Sequence, residues 1–341
     1  MLTLIYFVFI LGLIVLIHEG GHFFFAKRAG IYVYEFSIGM GPKIFKWKRK
    51  GDETQYSIGL FPIGGYVQMA GESVEVDENI PKEKTMQAKT WLQRFLTIIA
   101  GVMMNFILAL VIFFVVALIQ GAPDNKVYIG DVLEGSAAEQ AGIKTGEVVT
   151  KLNGKKVNNS DKFLLQLTVK NGETVKLELD GKKEVTLTPT KDSEGNYKYG
   201  FGISSKIEKG FLPSLKYAFT KFASLVEQMG LTIWYLITGQ LSLTNLSGPV
   251  GIYNLVGETA KAGFVNILFL IGYLSLNVGF INLLPIPAFD GGRVVFLIIE
   301  KIKGSPVSAK VENTIHSIFF ILLMLLMIAI TYNDIVRIFF S

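Results

Sequence analysis

The sequence predicts a polytopic α-helical membrane protein of about four transmembrane helices. A small membrane-associated β-sheet lies on its cytoplasmic side, and one α+β domain is inserted on the outer side. Three observations predict this. Half of the 341 residues are hydrophobic and the mean hydropathy is +0.44, too apolar for an ordinary soluble enzyme. Four apolar windows are long enough to cross a hydrocarbon core of about 30 Å, which takes about 20 helical residues. Between the second and third windows lies a polar stretch, 124–190, in which 20 of 67 residues are charged.

Residues 1–26 form the first window, interrupted only by His18, Glu19 and His22. Met1–Ile17 has no basic start, and no small-residue cleavage site follows it, so it reads as a retained span and not as a secretory signal. Residues 27–94 alternate in strand fashion at Tyr32–Ser37, Lys43–Trp47, Thr54–Leu60 and Gly65–Met69, with Gly-Pro and Gly-Gly punctuation, and predict the membrane-hugging sheet. The second span is 95–121, the third 262–289 and the fourth 313–333. Residues 211–240 are nearly as apolar, but Lys216, Lys221 and Glu227 interrupt them. They predict an amphipathic helix in the outer interface, since a further crossing would put Asp290 on the opposite side from His18 and His22.

Charge orients the chain. Lys27, Arg28, Lys89 and Arg94 flank the first connection, and Arg293, Lys301, Lys303 and Lys310 fill the last. The positive-inside rule places both in the cytoplasm, and the N-terminus, the polar insert and Ser341 outside. The net charge of +5 is modest and forms no basic stripe, which argues against nucleic-acid binding. Lys46, Lys48, Arg49 and Lys50 read as a turn facing lipid headgroups. There is no cysteine, so any metal must be held by His, Asp or Glu.

The strongest chemical signal is His18-Glu19-Gly20-Gly21-His22. Histidines four apart share one helix face and can reach one metal ion, and the intervening glutamate can take a proton from the attacking water. An ionisable side chain at membrane depth costs roughly 2.5–3.5 kcal/mol, so a cluster of three predicts a site more readily than a polar helix contact. A catalytic zinc takes three protein ligands. The best third candidate is Asp290 in the run 282–293, where Pro285 and Pro287 break the helix just before it; the alternative is a helix cap at the membrane surface. Gly101 and Asn105, four apart on the second span, carry two readings of equal weight. Either Gly101 packs on the motif helix with Asn105 beside the site, or both are ordinary small-residue packing. His316 reads as a buried or interfacial residue and not as a ligand; Glu258 and Glu300 read as surface or interface charges.

Within 124–190, strands at 126–133 and 148–152 flank a short helix at 136–141. A second helix at 161–169 and a closing hairpin around Asp180-Gly181 follow. This order, with its "AGIKTGEVVTKLNGKKV" run, resembles a PDZ domain in its bacterial strand order. Such domains bind a chain end by strand addition. The expected groove lies between Val127–Val132 and the helix at 161–169, either capturing a trimmed ectodomain or excluding a bulky one.

Taken with "AGVMMNFILA", "SGPVGIY" and "NLLPIPAFDGG", these motifs resemble the site-2 protease family of intramembrane zinc metalloproteases, in its regulator-of-sigma-E type with one PDZ domain. The resemblance implies zinc held by His18, His22 and Asp290, with Glu19 as general base. It also implies that Asn282 holds substrate backbone, and that the loop at Gly64, Gly65 and Tyr66 pairs with the substrate strand, an edge expected within residues 54–69. The implied substrates are single-span membrane proteins, such as anti-sigma factors after a first cleavage, or remnant signal peptides. The implied setting is a bacterial inner membrane, with the active site near its cytoplasmic face and the PDZ domain contacting a substrate ectodomain or chain end. Two rivals stand beside this reading. A PDZ membrane scaffold would bind no metal, and an ion-coupled transporter is opposed by the lack of an internal repeat.

Overall fold

The structure, a computed structural model, describes residues 2–72, 79–124, 126–157, 160–170, 172–191, 197–242, 244 and 246–339, apart from the side chains at 62, 63, 309 and 339. The chain opens with α1 (Leu2–Arg28), β1 (Val33–Lys48), β2 (Gln55–Met69) and α2 (Trp91–Gln120). Then come β3 (Ala122–Pro123), β4 (Val127–Val132), α3 (Ala137–Gln140), β5 (Val148–Leu152), β6 (Lys155–Lys156), α4 (Ser160–Val169), β7 (Val175–Leu179) and β8 (Lys183–Leu187). Next are β9 (Thr190–Lys191), β10 (Tyr197–Lys198), β11 (Phe201–Ser204), β12 (Ile207–Glu208) and α5 (Phe211–Ile237). The chain closes with α6 (Pro249–Lys261), α7 (Phe264–Leu283), α8 (Asp290–Lys303) and α9 (Ala309–Phe339). Two compact units result, one of residues 1–112 with 244–341 and one of residues 113–243.

Four helices are long and apolar enough to cross a membrane: Leu2–Arg28, Trp91–Gln120, Phe264–Leu283 and Lys310–Ile338. In the first unit, α1 is apolar on every face, yet its buried residues Phe7, Ile10, Ile14, His18, Gly21, His22 and Ala26 recur at three- and four-residue steps. That stripe is the face a helix buries, and the two histidines lie on it. Gly21 is there for closeness: a Cβ would stand 2.6 Å from the Ala100 carbonyl oxygen of α2. Gly20 has open space in the same position, so only the second motif glycine answers a packing need.

The apolar run 262–289 is not one helix. α7 ends at Leu283, and residues 284–289 turn before α8 begins at Asp290. Proline has no N–H to continue a helix and restrains the residue before it, and Pro285 and Pro287 fall in this turn. The loop then folds back on the first turn of α8. A Cβ at Gly291 would strike the Leu283 and Leu284 carbonyls, and one at Gly292 would lie 2.5 Å from the Ile286 oxygen.

β1 and β2 are long, bent strands forming an antiparallel sheet that doubles on itself. Residues 35–38 of β1 pair with both 55–58 and 65–68 of β2, and 43–48 pair with 55–59. The Val33–Met69 arm packs with Ala26, Ile31, Met86, Ile98 and Leu297 in a buried apolar cluster. At its base Lys27 Nζ binds Asp52 Oδ1 (2.9 Å) and Glu53 Oε1 (2.5 Å).

The second unit is organised by a six-stranded sheet in the order β11-β4-β5-β7-β8, with β6 on β5. Inward residues of its strands join Phe163 of α4 and Ala138 of α3 in one apolar core. Two expectations need correction here. The sheet takes in Phe201–Ser204, so the module runs beyond residue 190. The strand Val127–Val132 lies between β11 and β5 in the sheet, paired with β11 over 128–132 and with β5 at 127–128, and so is not an edge strand open to addition. Strand order depends on pairing between distant segments, which local periodicity does not encode. α5 lies alongside α4, where Lys221 Nζ binds both Asp161 oxygens (2.7 and 2.9 Å).

Candidate metal centre

His18 and His22 project from the buried stripe of α1, and Asp290 comes from the first turn of α8, where its charge favours the helix N-terminus. His18 Nε2 lies 3.2 Å and His22 Nε2 3.3 Å from Asp290 Oδ2, and the two Nε2 atoms are 3.3 Å apart. Side-chain exposures are 10%, 9% and 14%, so the cluster is shielded from bulk solvent.

Second contacts fix how these groups point. His22 Nδ1 donates to the Thr97 carbonyl of α2 at 2.8 Å. That proton leaves Nε2 with a bare lone pair facing the cluster. His18 Nδ1 lies 3.3 Å from the side-chain amide of Asn105. The O and N of an amide are assigned from the network, and the Asn105 Oδ1 as placed is buried without a partner. Turning the amide over puts its oxygen against His18 Nδ1–H, so that His18 also presents a bare Nε2. Asn105 is held in turn by Ser275, whose hydroxyl donates to the Asn105 carbonyl at 2.9 Å.

Three acceptor atoms thus converge, and Asp290 Oδ2 is buried without a hydrogen-bond donor. Acceptors this close repel one another unless a cation sits among them. Ligands about 2.0–2.1 Å from a tetrahedral zinc stand about 3.3 Å apart, which is the edge length of this triangle. The donor set and its spacing fit zinc. Among the described residues, these three are the group of His, Asp and Glu able to hold a metal ion.

Gly101 of α2 faces both rings. A Cβ there would stand 2.7 Å from His18 Cε1 and nearer still to His22 Nε2, so glycine is what lets α2 close over the histidines. Glu19 sits beside the cluster on α1, and its Cγ is 3.2 Å from where a Cβ on Gly65 of β2 would be. Gly64 takes φ +80° and abuts Met40. Tyr66 gives its hydroxyl to Glu35 at 2.6 Å under the Lys43 ammonium. Burial and that bond push the Tyr66 phenol up to about 12. Asn282 gives its amide N–H to the Val278 carbonyl of its own helix at 2.9 Å. Glu300 pairs with Arg94 through two bonds of 2.6 and 2.8 Å, and Glu258 is exposed.

Five residues have roles here that a reading of the sequence does not give. The Thr97 carbonyl carries no side-chain signal. Ser275 and the close-packing role of Gly291 and Gly292 depend on partners far along the chain. His316, read from the sequence as buried or interfacial, accepts a hydrogen bond from the Ala288 N–H at 2.9 Å, a partner that no local signal announces.

Comparison with known proteins agrees with this site. The family model described as Peptidase family M50 matches residues 6–326. The chain is 40% identical over 347 residues to a Fusobacterium nucleatum protein whose name places it among zinc metalloproteases, covering 99% of this chain and 100% of the relative. It is 34% identical over 421 positions to the regulator of sigma-W protease RasP of Bacillus subtilis, covering 99% of each. To the zinc metalloprotease RasP of Geobacillus kaustophilus it is 33% identical over 416 positions, covering 99% and 98%.

Proposed function

The chain belongs to peptidase family M50, the site-2 proteases, and is a zinc metalloprotease with four apolar helices; from that premise we propose that it cleaves peptide bonds within the transmembrane segments of single-span membrane proteins, using His18, His22 and Asp290 as zinc ligands and Glu19 as general base. One observation carries the assignment: three shielded acceptor atoms stand 3.2–3.3 Å apart, on two helices distant in sequence, with a glutamate beside them.

When bound, zinc supplies Lewis acidity toward the scissile carbonyl and toward water. Glu19 takes the proton of the attacking water and returns it to the leaving amine. Thr97 and Asn105 hold the imidazole rings so that their Nε2 atoms stay turned inward. The substrate must be extended to expose its carbonyls, since a helix hides them in its own hydrogen bonds. Residues 55–58 are paired on both sides, so of the stretch 54–69 the arm Gly65–Met69 offers the edge, without a strand beyond it among the described residues. Gly65 brings that edge against Glu19. A substrate added there by β-augmentation lies along the metal centre. Asn282 holds the other side of the substrate by exchanging its bond to Val278.

The insert is read as a PDZ domain on the outer side of a bacterial plasma membrane, supported by the order strand, short helix, strand, helix, hairpin. With β4 enclosed, the edge for a chain end is β11, which forms the end of the sheet. Substrates follow the relative's name: a regulator of sigma-W protease points to anti-sigma factors already shortened.

Purified protein is tested against a single-span model substrate beside Glu19→Gln, with zinc measured on both. Wild type is expected to cleave, and the variant to lose about 10²–10⁴-fold in rate with its zinc retained. A Glu19→Gln protein that cleaves at the wild-type rate overturns the assignment.

A further inference from the structure

His316 lies in the first third of α9 and is neither one of the converging acceptors nor a surface residue; its side chain is 19% exposed. Its Nδ1 accepts the N–H of Ala288 at 2.9 Å. Because that N–H donates, Nδ1 is unprotonated and the ring proton is on Nε2, on the side of the Glu312 carboxylate 3.8 Å away. The ring also leans on Phe296 of α8, with centroids 5.5 Å apart. The imidazole is therefore wedged between α8 and the loop that leads into it.

The partner it has chosen is unusual. Ala288 has φ +90°, one of three non-glycine residues with positive φ among the described residues. The other two, Asn153 and Asp180, are residue types that tolerate this region; alanine is not. A backbone held there persists only when its surroundings enforce it. Ala288 is two residues before Asp290, in the turn that swings the chain from the end of α7 to the first turn of α8. The turn is also closed by the Phe289 N–H on the Ile286 carbonyl (3.1 Å) and packed through Gly291 and Gly292 against the carbonyls of 283–286, but none of these contacts takes the peptide N–H of Ala288, which is held from outside by His316.

We propose that His316 is a positioning residue for the metal centre: its Nδ1 holds the Ala288 peptide in the left-handed conformation that aims Asp290 at His18 and His22. This rests on Asp290 being a metal ligand. The most apolar stretch of α9 buries none of its residues, so tight packing of that helix does not substitute for the bond. Release of His316 from Ala288 lets residue 288 relax and turns the third ligand away.

The test measures zinc affinity by competition with a chelator, and the visible absorption of the cobalt-substituted protein, in four full-length variants. His316→Leu is expected to weaken zinc binding about 10–100-fold, as loss of a partner behind a ligand does, and to reduce the tetrahedral cobalt bands. His316→Asn, whose carbonyl oxygen reaches the place of Nδ1, is expected to restore most of the affinity. Adding Ala288→Gly to His316→Leu is also expected to recover affinity, because glycine adopts positive φ without a partner. A merely structural histidine would show neither rescue. Asp290→Ala separates the two claims. If it retains full affinity, the ligand reading fails. If it loses zinc while His316→Leu binds as wild type, or if neither rescue occurs, the positioning role is overturned and the ligand reading stands.

Discussion

Two carboxylates close to helix N-termini in the same unit are treated in opposite ways. Asp334, near the end of α9, is wholly buried, and its Oδ2 accepts the N–H groups of Gly248 (2.8 Å) and Gly251 (2.7 Å) at the start of α6. Arg337 binds its other oxygen at 3.0 Å. Asp290 has an oxygen equally hidden, but no donor reaches it and two imidazole lone pairs face it. A carboxylate saturated with donors is a fastener. One buried among acceptors is costly until a cation arrives, and so marks a binding site. Asp334 and the SGPVG run thus read as the device that fastens the last helix to α6. Glycines at 248 and 251 are needed because a Cβ at either would come within 3.0 Å of the carboxylate.

Exchanging the two aspartates for alanine breaks or confirms this contrast, with the largest effects expected. Asp290→Ala should lose zinc by more than about 100-fold, beyond the loss of an outer partner, while the thermal midpoint of the metal-free protein stays level or rises. Asp334→Ala should do the reverse, keeping zinc and losing about 2–4 kcal/mol of stability through two stranded N–H groups. Zinc titration and thermal unfolding of the metal-free forms decide; if both variants lose zinc equally, the distinction fails. Gly101→Ala comes next. Its methyl would enter the space of both rings, so zinc affinity should fall at least tenfold although no ligand is touched, and wild-type zinc content would contradict the close approach of α2.

The smallest effect concerns a third carboxylate, at the surface. A hydrogen bond from Lys27, against a lesser cost of burial, and further bonds from Thr54 N–H and Tyr56 hold Asp52 well below the usual carboxylate range. A lowered folded value means a contribution complete above the unfolded pKa of about 3.9 and lost as acid takes the pH below it. Asp52→Asn should therefore lower the thermal midpoint at pH 7 by about 2 °C or less, with the difference shrinking progressively as the pH falls below about 4. A large shift, or one that persists in acid, would show that the hairpin base matters as much as the buried sites.

What could be read in advance follows from range. His18 and His22 are four residues apart on one helix, so their common face is local geometry. The spans depend on composition over about 20 residues, and the break before Asp290 on two prolines close by. The spacing pattern of 124–190 likewise announced a strand, a short helix, a strand, a helix and a hairpin. All of this was written in segments shorter than a helix or two.

The tertiary structure decided what lies between segments distant in the chain. It placed Asp290 against the histidines 3.2–3.3 Å away, chose the Thr97 carbonyl and Asn105 as their orienting partners, and put Gly101 where any side chain would collide. It enclosed Val127–Val132 between two strands and handed the free edge to Phe201–Ser204. It also gave His316, which the sequence could only class as buried or interfacial, a backbone N–H two residues before Asp290. The reason is common to all of them: the sequence by itself determines periodicity and the chemistry available, whereas pairing across many residues is settled only when the whole chain closes and each buried polar group must find, or conspicuously lack, a partner.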